Sequence, residues 1–307
     1  MKILVRRSNL LVRIDDAGGV DSAWRHNADA ITLDLDGADT AARMRVREAI
    51  ASAAQGAAEV FVRVRSDNLR ADLEAAIGPG LRGIMLARAD SSVQIVAADK
   101  MVTALEREHG LAIGSLQIIV MLESARGVWD VRTVITASAR ISQVVLDESA
   151  LAADLGITSL LRYENDLDPF VYARGRVVVE AIAAKVMPVG IAYPLSVRTE
   201  ATLPEEIHTL AVKGKNLGMK GVLCPSPDWI APVNAAYTPT PELVTYNKRV
   251  REAFAAGVAA GTAAVPLDGR MIDVPVDERA IVVLATAEAC TARDAEKQAA
   301  ITARSTT

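Results

Sequence analysis

The sequence predicts an α/β protein, a (β/α)8 TIM barrel with a C-terminal helical extension, and three observations carry that prediction. Short apolar runs recur as NLLVRI, DAITLDL, EVFVRV, GIMLA, LQIIVML, ISQVVL, PVGIAY and GVLC, each succeeded by a longer stretch of helical spacing. Strands alternating with helices imply βαβ units and a parallel sheet, and eight such units are the number that closes a barrel instead of leaving exposed edges. The composition agrees: 51% of the residues are hydrophobic but only 4% aromatic. The core is therefore expected to consist of Ala, Val, Leu and Ile, as suits buried parallel strands under Ala-rich helices.

Between the runs, DTAARMRVREAIASAAQ reads as a helix with Ala42, Val46 and Ile50 on one face, and SSVQIVAADKMVTALEREHG as a helix whose apolar positions are Val93, Val96, Met101 and Leu105. The eighth run ends at Cys224 and Pro225, so residues 1–225 are assigned to the barrel and 226–307 to the extension. The extension opens with the Pro-rich PSPDWIAPVNAAYTPTPE. Next come a helix ending in Gly (ELVTYNKRVREAFAAGVAAG, with Val244, Val250, Phe254 and Val258 as its stripe), a short apolar run and a final helix from about Val276. This tail is expected to pack on the barrel or on a neighbouring subunit.

Charge and cysteine usage exclude several classes. A net charge of −4 with interspersed signs lacks the basic stripe that neutralises nucleic-acid phosphates. The start, MKILVRRSNLLVRIDD, has no uninterrupted apolar core of a signal peptide, and no run of about 18 apolar residues suggests a membrane span. A soluble, cytoplasmic protein without membrane or nucleic-acid partners is expected. Cys224 and Cys290 lack CxxC spacing and read as reduced thiols. Cys224 at a strand end invites a nucleophile role, but His26, His109 and His208 lie on predicted helices or loops away from it.

Active sites of such barrels lie at the C-terminal ends of the strands, where the βα loops converge. The charged residues at the ends of the runs are Asp36, Arg63, Arg65, Asp67, Arg88, Asp90, Glu123, Arg126, Asp147 and Glu148. Arg forks match carboxylates and phosphates, while neighbouring short acids suit a hard cation such as Mg²⁺. Several of these residues have a plainer alternative. Asp36 and Asp147 can cap the next helices, and Arg63 can form a salt bridge inside the barrel. Glu123 is a poor capping residue and comes after a run of apolar residues, so its carboxylate there needs a partner or a function.

Six segments in order carry a resemblance: DAITLDLDGAD, VFVRVR, GIMLARADSS, MLESARGVWD, ALAADLG and the late LDGRMIDVPV, supported by RSNLLV and AAYTPTPELV. Together they resemble the citrate lyase beta-chain, malyl-CoA lyase and HpcH/HpaI aldolase superfamily over most of the chain. The resemblance implies a TIM-barrel lyase that cleaves or forms a carbon–carbon bond in a hydroxy acid or its CoA thioester, with Mg²⁺, as a homotrimer. By position Arg63 takes the role of the substrate-binding Arg and Glu123 that of a metal ligand. Asp273 falls where some CoA lyases present an acid to an adjacent active site. Asp36, Arg65 and Arg88 complete the substrate-binding set, and Arg13, Arg45 and Arg88 are the candidates for holding CoA.

The chain departs from the family pattern at several of these places. Family members read F-G-A-E-D-L-A-A-D-L-G where this chain reads VLDESALAADLG, and the Asp before L-A-A, a metal ligand, is here Ala150. Asp147 is the candidate replacement, so the predicted metal pair is Glu123 and Asp147. The family's Asn after the Arg-Val pair is Arg65, its P-K-x-E is Ala87-Arg88-Ala89-Asp90, and its I-H-P is Leu223-Cys224-Pro225. Three functions are compatible with this pattern: a divergent lyase, a metal-altered acyl-CoA hydrolase, or a non-catalytic paralogue that binds an acyl-CoA.

Overall fold

The computed structural model describes residues 3–157, 169–190 and 204–305. Eight parallel strands form one sheet: β1 (Ser8–Arg13), β2 (Ala30–Asp34), β3 (Glu59–Arg65), β4 (Leu81–Ala87), β5 (Gln117–Leu122), β6 (Ile141–Leu146), β7 (Met187–Val189) and β8 (Val222–Cys224). Each strand lies beside the next in sequence, and β8 returns to pair with β1. Between β7 and β8 the backbone closes the ring, with Lys220 N donating to Pro188 O at 2.8 Å and Gly190 N to Gly221 O at 3.0 Å. All eight predicted runs thus form strands of a barrel. The end of the seventh, Ile191 to Tyr193, lies outside the described residues.

Period-two alternation assigns the side chains of each strand to two layers. Ala30, Phe61, Met85, Ala87, Ile119, Met121, Val145, Val189 and Leu223 fill the barrel interior. Ile31, Leu33, Val60, Val62, Val64, Ile84, Leu86, Ile118, Val120 and Val144 face the opposite way and join the larger core beneath the helices. Strands buried on both faces read as continuous apolar runs, which is why the sequence announced them.

The covering helices in the first half are α1 (Ala17–Ser22), α2 (Thr40–Met44), α3 (Val46–Ala53), α4 (Leu69–Ala76), α5 (Ser92–Glu108), α6 (Ala125–Trp129) and α7 (Val131–Ile135). In the second half they are α8 (Glu148–Asp154), α9 (Val171–Ala183), α10 (Pro204–Leu217) and α11 (Ile230–Tyr237). Ala42, Val46 and Ile50 are all buried as predicted, although their segment is split at Arg45 between α2 and α3. The predicted face of α5 is corrected. Val93 is 75% exposed and Val96 39%, while Ile95, Ala98, Val102 and Leu105 are buried. That set keeps the helical i, i+3, i+7 spacing; Leu105 and the half-buried Met101 of the predicted face do pack on the core, whereas Val93 and Val96 lie on a different side of the helix.

At the N-terminal mouth of the barrel, charged side chains are buried and paired. The Arg6 guanidinium, with no exposed side-chain area, forks onto Glu59, donates to Gln117 Oε1 at 2.7 Å and Ser142 Oγ at 3.3 Å, and lies 5.0 Å over the Phe61 ring. Asp29 accepts from Arg7 Nε at 2.8 Å and NH2 at 2.9 Å, and from Lys297 Nζ at 2.5 Å. Arg140, just before β6, bridges Asp99 and Glu106 of α5.

The described chain divides into two compact units, the barrel with Lys297 onward, and a second formed by Thr238–Glu296 with the start of the chain. The second contains α12 (Pro241–Ala259), an antiparallel hairpin of β9 (Val265–Leu267) and β10 (Arg270–Ile272), and most of α13 (Val274–Ser305). Val250, Ile272 and Ala280 form its own small core. Among the described residues no helix is long and apolar enough to cross a membrane.

Candidate active site at the C-terminal mouth

Inward alternation continues past the apolar interior of each strand and delivers charged side chains to the mouth. On β2, Ala30 is succeeded inward by Thr32, Asp34 and Asp36. On β3, Phe61 is succeeded by Arg63 and Arg65. On β5 and β6, Met121 and Val145 give way to Glu123 and Asp147. Leu122 pairs with Leu146 in the β5–β6 register, and Asp147 N donates to Leu122 O at 3.0 Å. Glu123 and Asp147 are therefore lateral neighbours on adjacent strand ends, a spacing of about 4.8 Å along the hydrogen-bonding direction.

Arg63 is the hub. One terminal nitrogen donates to both oxygens of Asp34 at 3.1 and 3.0 Å and to Asp36 at 3.3 Å; the other donates to Glu123 Oε1 at 2.9 Å. Burial works against its charge, but Asp34, Glu123 and Asp36 outweigh that and hold its pKa above the ordinary value. Its Nε is buried and has no hydrogen-bond partner. Arg65 donates to Asp36 at 3.1 Å and pairs with Asp67 at 3.2 Å. The Arg88 side chain is 66% exposed and its Nε lies 3.5 Å from Glu123 Oε2.

Glu123 is the acid that this environment changes most clearly. Burial pushes its carboxyl above the ordinary range, Arg63 opposes the rise, and the neighbouring Asp147 adds to it. Asp147 also caps α8: its Oδ1 accepts from Ser149 N at 3.0 Å and Ala150 N at 3.1 Å. Glu148 turns outward and forms a buried pair with Arg174, with 2.6 Å between NH2 and Oε2, so it belongs to the helix layer.

The structure sorts the sequence expectations. Asp36, Arg63, Arg65, Arg88, Glu123 and Asp147 converge at one mouth. Asp36 is not a helix cap; Asp39 caps α2 instead, and Asp36 pairs with two arginines. Asp147 does cap its helix. Asp273 lies in the second compact unit, where Oδ1 accepts from Val276 N at 3.2 Å at the start of α13. Arg13 pairs with Asp15 in solvent, and Arg45 is exposed at the turn between α2 and α3. Cys224 faces the outer core, fully buried, and burial pushes its thiol far up, so it is no nucleophile. Asp34 was missed in the sequence, although the alternation that yields Thr32 and Asp36 as inward positions also yields Asp34.

The donor chemistry suits a hard divalent cation. Asp34, Asp36, Asp67, Glu123 and Asp147 outnumber the guanidinium groups of Arg63, Arg65 and Arg88 at this mouth. Two carboxylates on neighbouring strands repel each other, and a cation between them removes that repulsion. Among the described residues no three His, Cys, Asp or Glu side chains converge as a complete metal cluster. A cation at Glu123 and Asp147 would therefore take its other ligands from water and from a bound molecule, the usual manner of Mg²⁺.

A closed parallel barrel with acids and arginines gathered at the C-terminal ends of its strands is the architecture of a TIM-barrel enzyme. The chain belongs to the HpcH/HpaI aldolase/citrate lyase family, whose sequence profile matches residues 7–227. It is 28% identical to the citrate lyase subunit beta of Escherichia coli over 298 residues, covering 94% of this chain and 95% of that one. It is 26% identical to an L-malyl-CoA/beta-methylmalyl-CoA lyase of Cereibacter sphaeroides over 285 residues, covering 85% and 88%. In fold it is similar to a citrate lyase from Burkholderia xenovorans (TM-score 0.75, 16% identity, 97% of each chain). It is also similar to CitE of Mycobacterium tuberculosis crystallised with magnesium, acetoacetate and coenzyme A (TM-score 0.68, 21% identity, 92% of this chain and 98% of that one).

Proposed function

We propose that this protein is a Mg²⁺-dependent carbon–carbon lyase acting on a hydroxy acid or its CoA thioester. The observation that carries the reading is Glu123, a buried carboxylate that shares the mouth with Asp147 and accepts a hydrogen bond from one terminal nitrogen of Arg63. Glu123 and Asp147 would hold the cation, which when bound supplies Lewis-acid polarisation of an oxygen of a 2-oxo or hydroxy acid. The family and the CoA-bound neighbour support the substrate class.

In such a cleavage the bond between the hydroxyl-bearing carbon and the carbon next to the thioester breaks. The hydroxyl gives up its proton and becomes the carbonyl of a 2-oxo acid, and the electron pair forms an enolate that then takes up a proton. Arg63, immobilised by Asp34, Asp36 and Glu123, stabilises negative charge developing on oxygen without having to reorganise. Arg65 and Arg88 orient substrate carboxylates, and Asp36 fixes Arg65 in place. Asp273 would supply the proton in a neighbouring subunit of a homotrimer.

A second reading has a specific observation behind it. Ala150 removes a family ligand and Asp147 Oδ1 is committed to a helix cap, as in a non-catalytic paralogue that binds an acyl-CoA. Calorimetric titration with Mg²⁺, with and without glyoxylate, pyruvate or oxaloacetate, separates the two. Micromolar-to-millimolar binding that tightens with a 2-oxo acid and disappears in Asp147→Ala supports the lyase; no cation binding under any condition supports the paralogue.

A further inference from the structure

The end of β4 breaks the alternation that β2, β3, β5 and β6 keep at their C-terminal ends. Ile84 and Leu86 face the helix layer, so continued alternation would send Arg88 outward and Ala89 to the mouth. The opposite is observed: Ala89 is fully buried in the outer core, and Arg88 stands over Glu123. The cause is the backbone of Arg88, whose φ of +50° is in the left-handed region that side-chain-bearing residues rarely adopt.

Neighbouring groups hold this conformation in place. Arg88 O accepts from Asp90 N at 3.0 Å and from Gln94 Nε2 at 3.1 Å. Gln94 Oε1 in turn accepts from Asp90 N at 2.8 Å and Ser91 N at 3.0 Å. Ala89 N stays in the ladder by donating to Met121 O at 3.2 Å. A strained backbone at a strand end, kept by a dedicated side chain, is an observation from which function can be inferred.

Its product is a charge placed on one corner of Glu123. Arg63 takes Oε1, and Arg88 stands at Oε2 through Nε. No protein partner engages the terminal nitrogens of Arg88 among the described residues, and its side chain is 66% exposed.

We infer that Arg88 is the displaceable counter-ion of Glu123, a substrate-binding residue that covers Oε2 until a divalent cation takes the carboxylate and then turns its fork to the substrate's carboxylate. This rests on the cation site at Glu123 and Asp147 proposed above. It makes cation and anion binding mutually dependent: the cation frees the guanidinium, and the anion occupies it.

Titration calorimetry with MgCl₂, alone and with saturating pyruvate, tests this on the full chain carrying Arg88→Gly, Arg88→Lys or Arg65→Gln. Glycine is at ease at this φ, so Arg88→Gly folds without strain. It is expected to bind Mg²⁺ alone roughly two- to fivefold tighter than the parent, the scale of a largely exposed ion pair, and to lose the tightening that pyruvate gives. Arg88→Lys should stay close to the parent with Mg²⁺ alone but recover little of the pyruvate effect, because a point charge lacks the fork. Arg65→Gln removes a charge from the same mouth without touching Glu123 and should tighten Mg²⁺ less than Arg88→Gly. Equal or weaker Mg²⁺ binding in Arg88→Gly, or an equal gain in Arg65→Gln, overturns the role of Arg88 while leaving the cation site standing. No Mg²⁺ binding by any of the four proteins overturns the cation site and this role with it.

Discussion

The two mouths of the barrel use the same residue types and arrive at different chemistry. At the N-terminal mouth Arg6 meets Glu59 with Gln117 and Ser142, and Asp29 meets Arg7 and Lys297, so each of these acids faces at least one buried cation. At the C-terminal mouth the carboxylates outnumber the guanidinium groups, Glu123 is held above its ordinary pKa, and a donor of Arg63 has no acceptor. Acids that each meet a buried cation close one barrel end, whereas an excess of carboxylates at the other leaves a demand that a cation and an anionic molecule can meet. Buried ion pairs are weak evidence of net stabilisation, but removing one member of a matched set is costly.

The largest effect is expected at the closed end. Asp29→Ala leaves Arg7 and Lys297 buried without their shared carboxylate and should cost about 3–5 kcal/mol in urea unfolding. Burial raises the Asp29 carboxyl, but Arg7 and Lys297 outweigh it and hold the pKa below the ordinary 3.8. Its contribution is therefore complete above that value and is lost as pH falls through the lower folded pKa. Unfolding curves of the parent should show that acid loss and those of Asp29→Ala should not; identical pH dependence would sink the assignment.

At the open end the changes should separate function from stability. Arg63→Lys keeps the charge but not the fork, and should lower lyase activity about 10²-fold, the scale of losing one preorganised donor. Its melting temperature should hardly change, and a large drop would mean that Arg63 is chiefly an internal salt bridge. Glu123→Gln comes next: it should abolish Mg²⁺ binding in calorimetry yet unfold no more readily than the parent without metal, because it removes a buried charge from an acid-rich mouth. If it unfolds as easily as Asp29→Ala, the two mouths are not different in kind. Least of all, Arg13→Ala breaks an exposed pair with Asp15 and should leave both the melting temperature and Mg²⁺ affinity unchanged.

The sequence by itself determined the barrel. Parallel strands buried on both faces must be written as continuous apolar runs, so all eight were legible without coordinates, as was the place at each strand end where chemistry-bearing residues gather. Glu123, Arg63 and Asp147 were legible for the same reason, since position at the end of an apolar run is a local property. The tertiary structure decided partnership. Glu148 is the next residue after Asp147, yet one faces the mouth and the other Arg174, because inward and outward alternate residue by residue. Asp36 looked like a cap until the Arg63 and Arg65 forks on the neighbouring strand claimed it. Arg88 reaches Glu123 only through a left-handed backbone turn that no apolar pattern encodes. Lys297, 268 residues from Asp29 along the chain, is recruited to the far end of the barrel. A pattern of apolar residues records burial, which each residue carries alone; charge pairing depends on two residues at once, and only the closed fold brings them together.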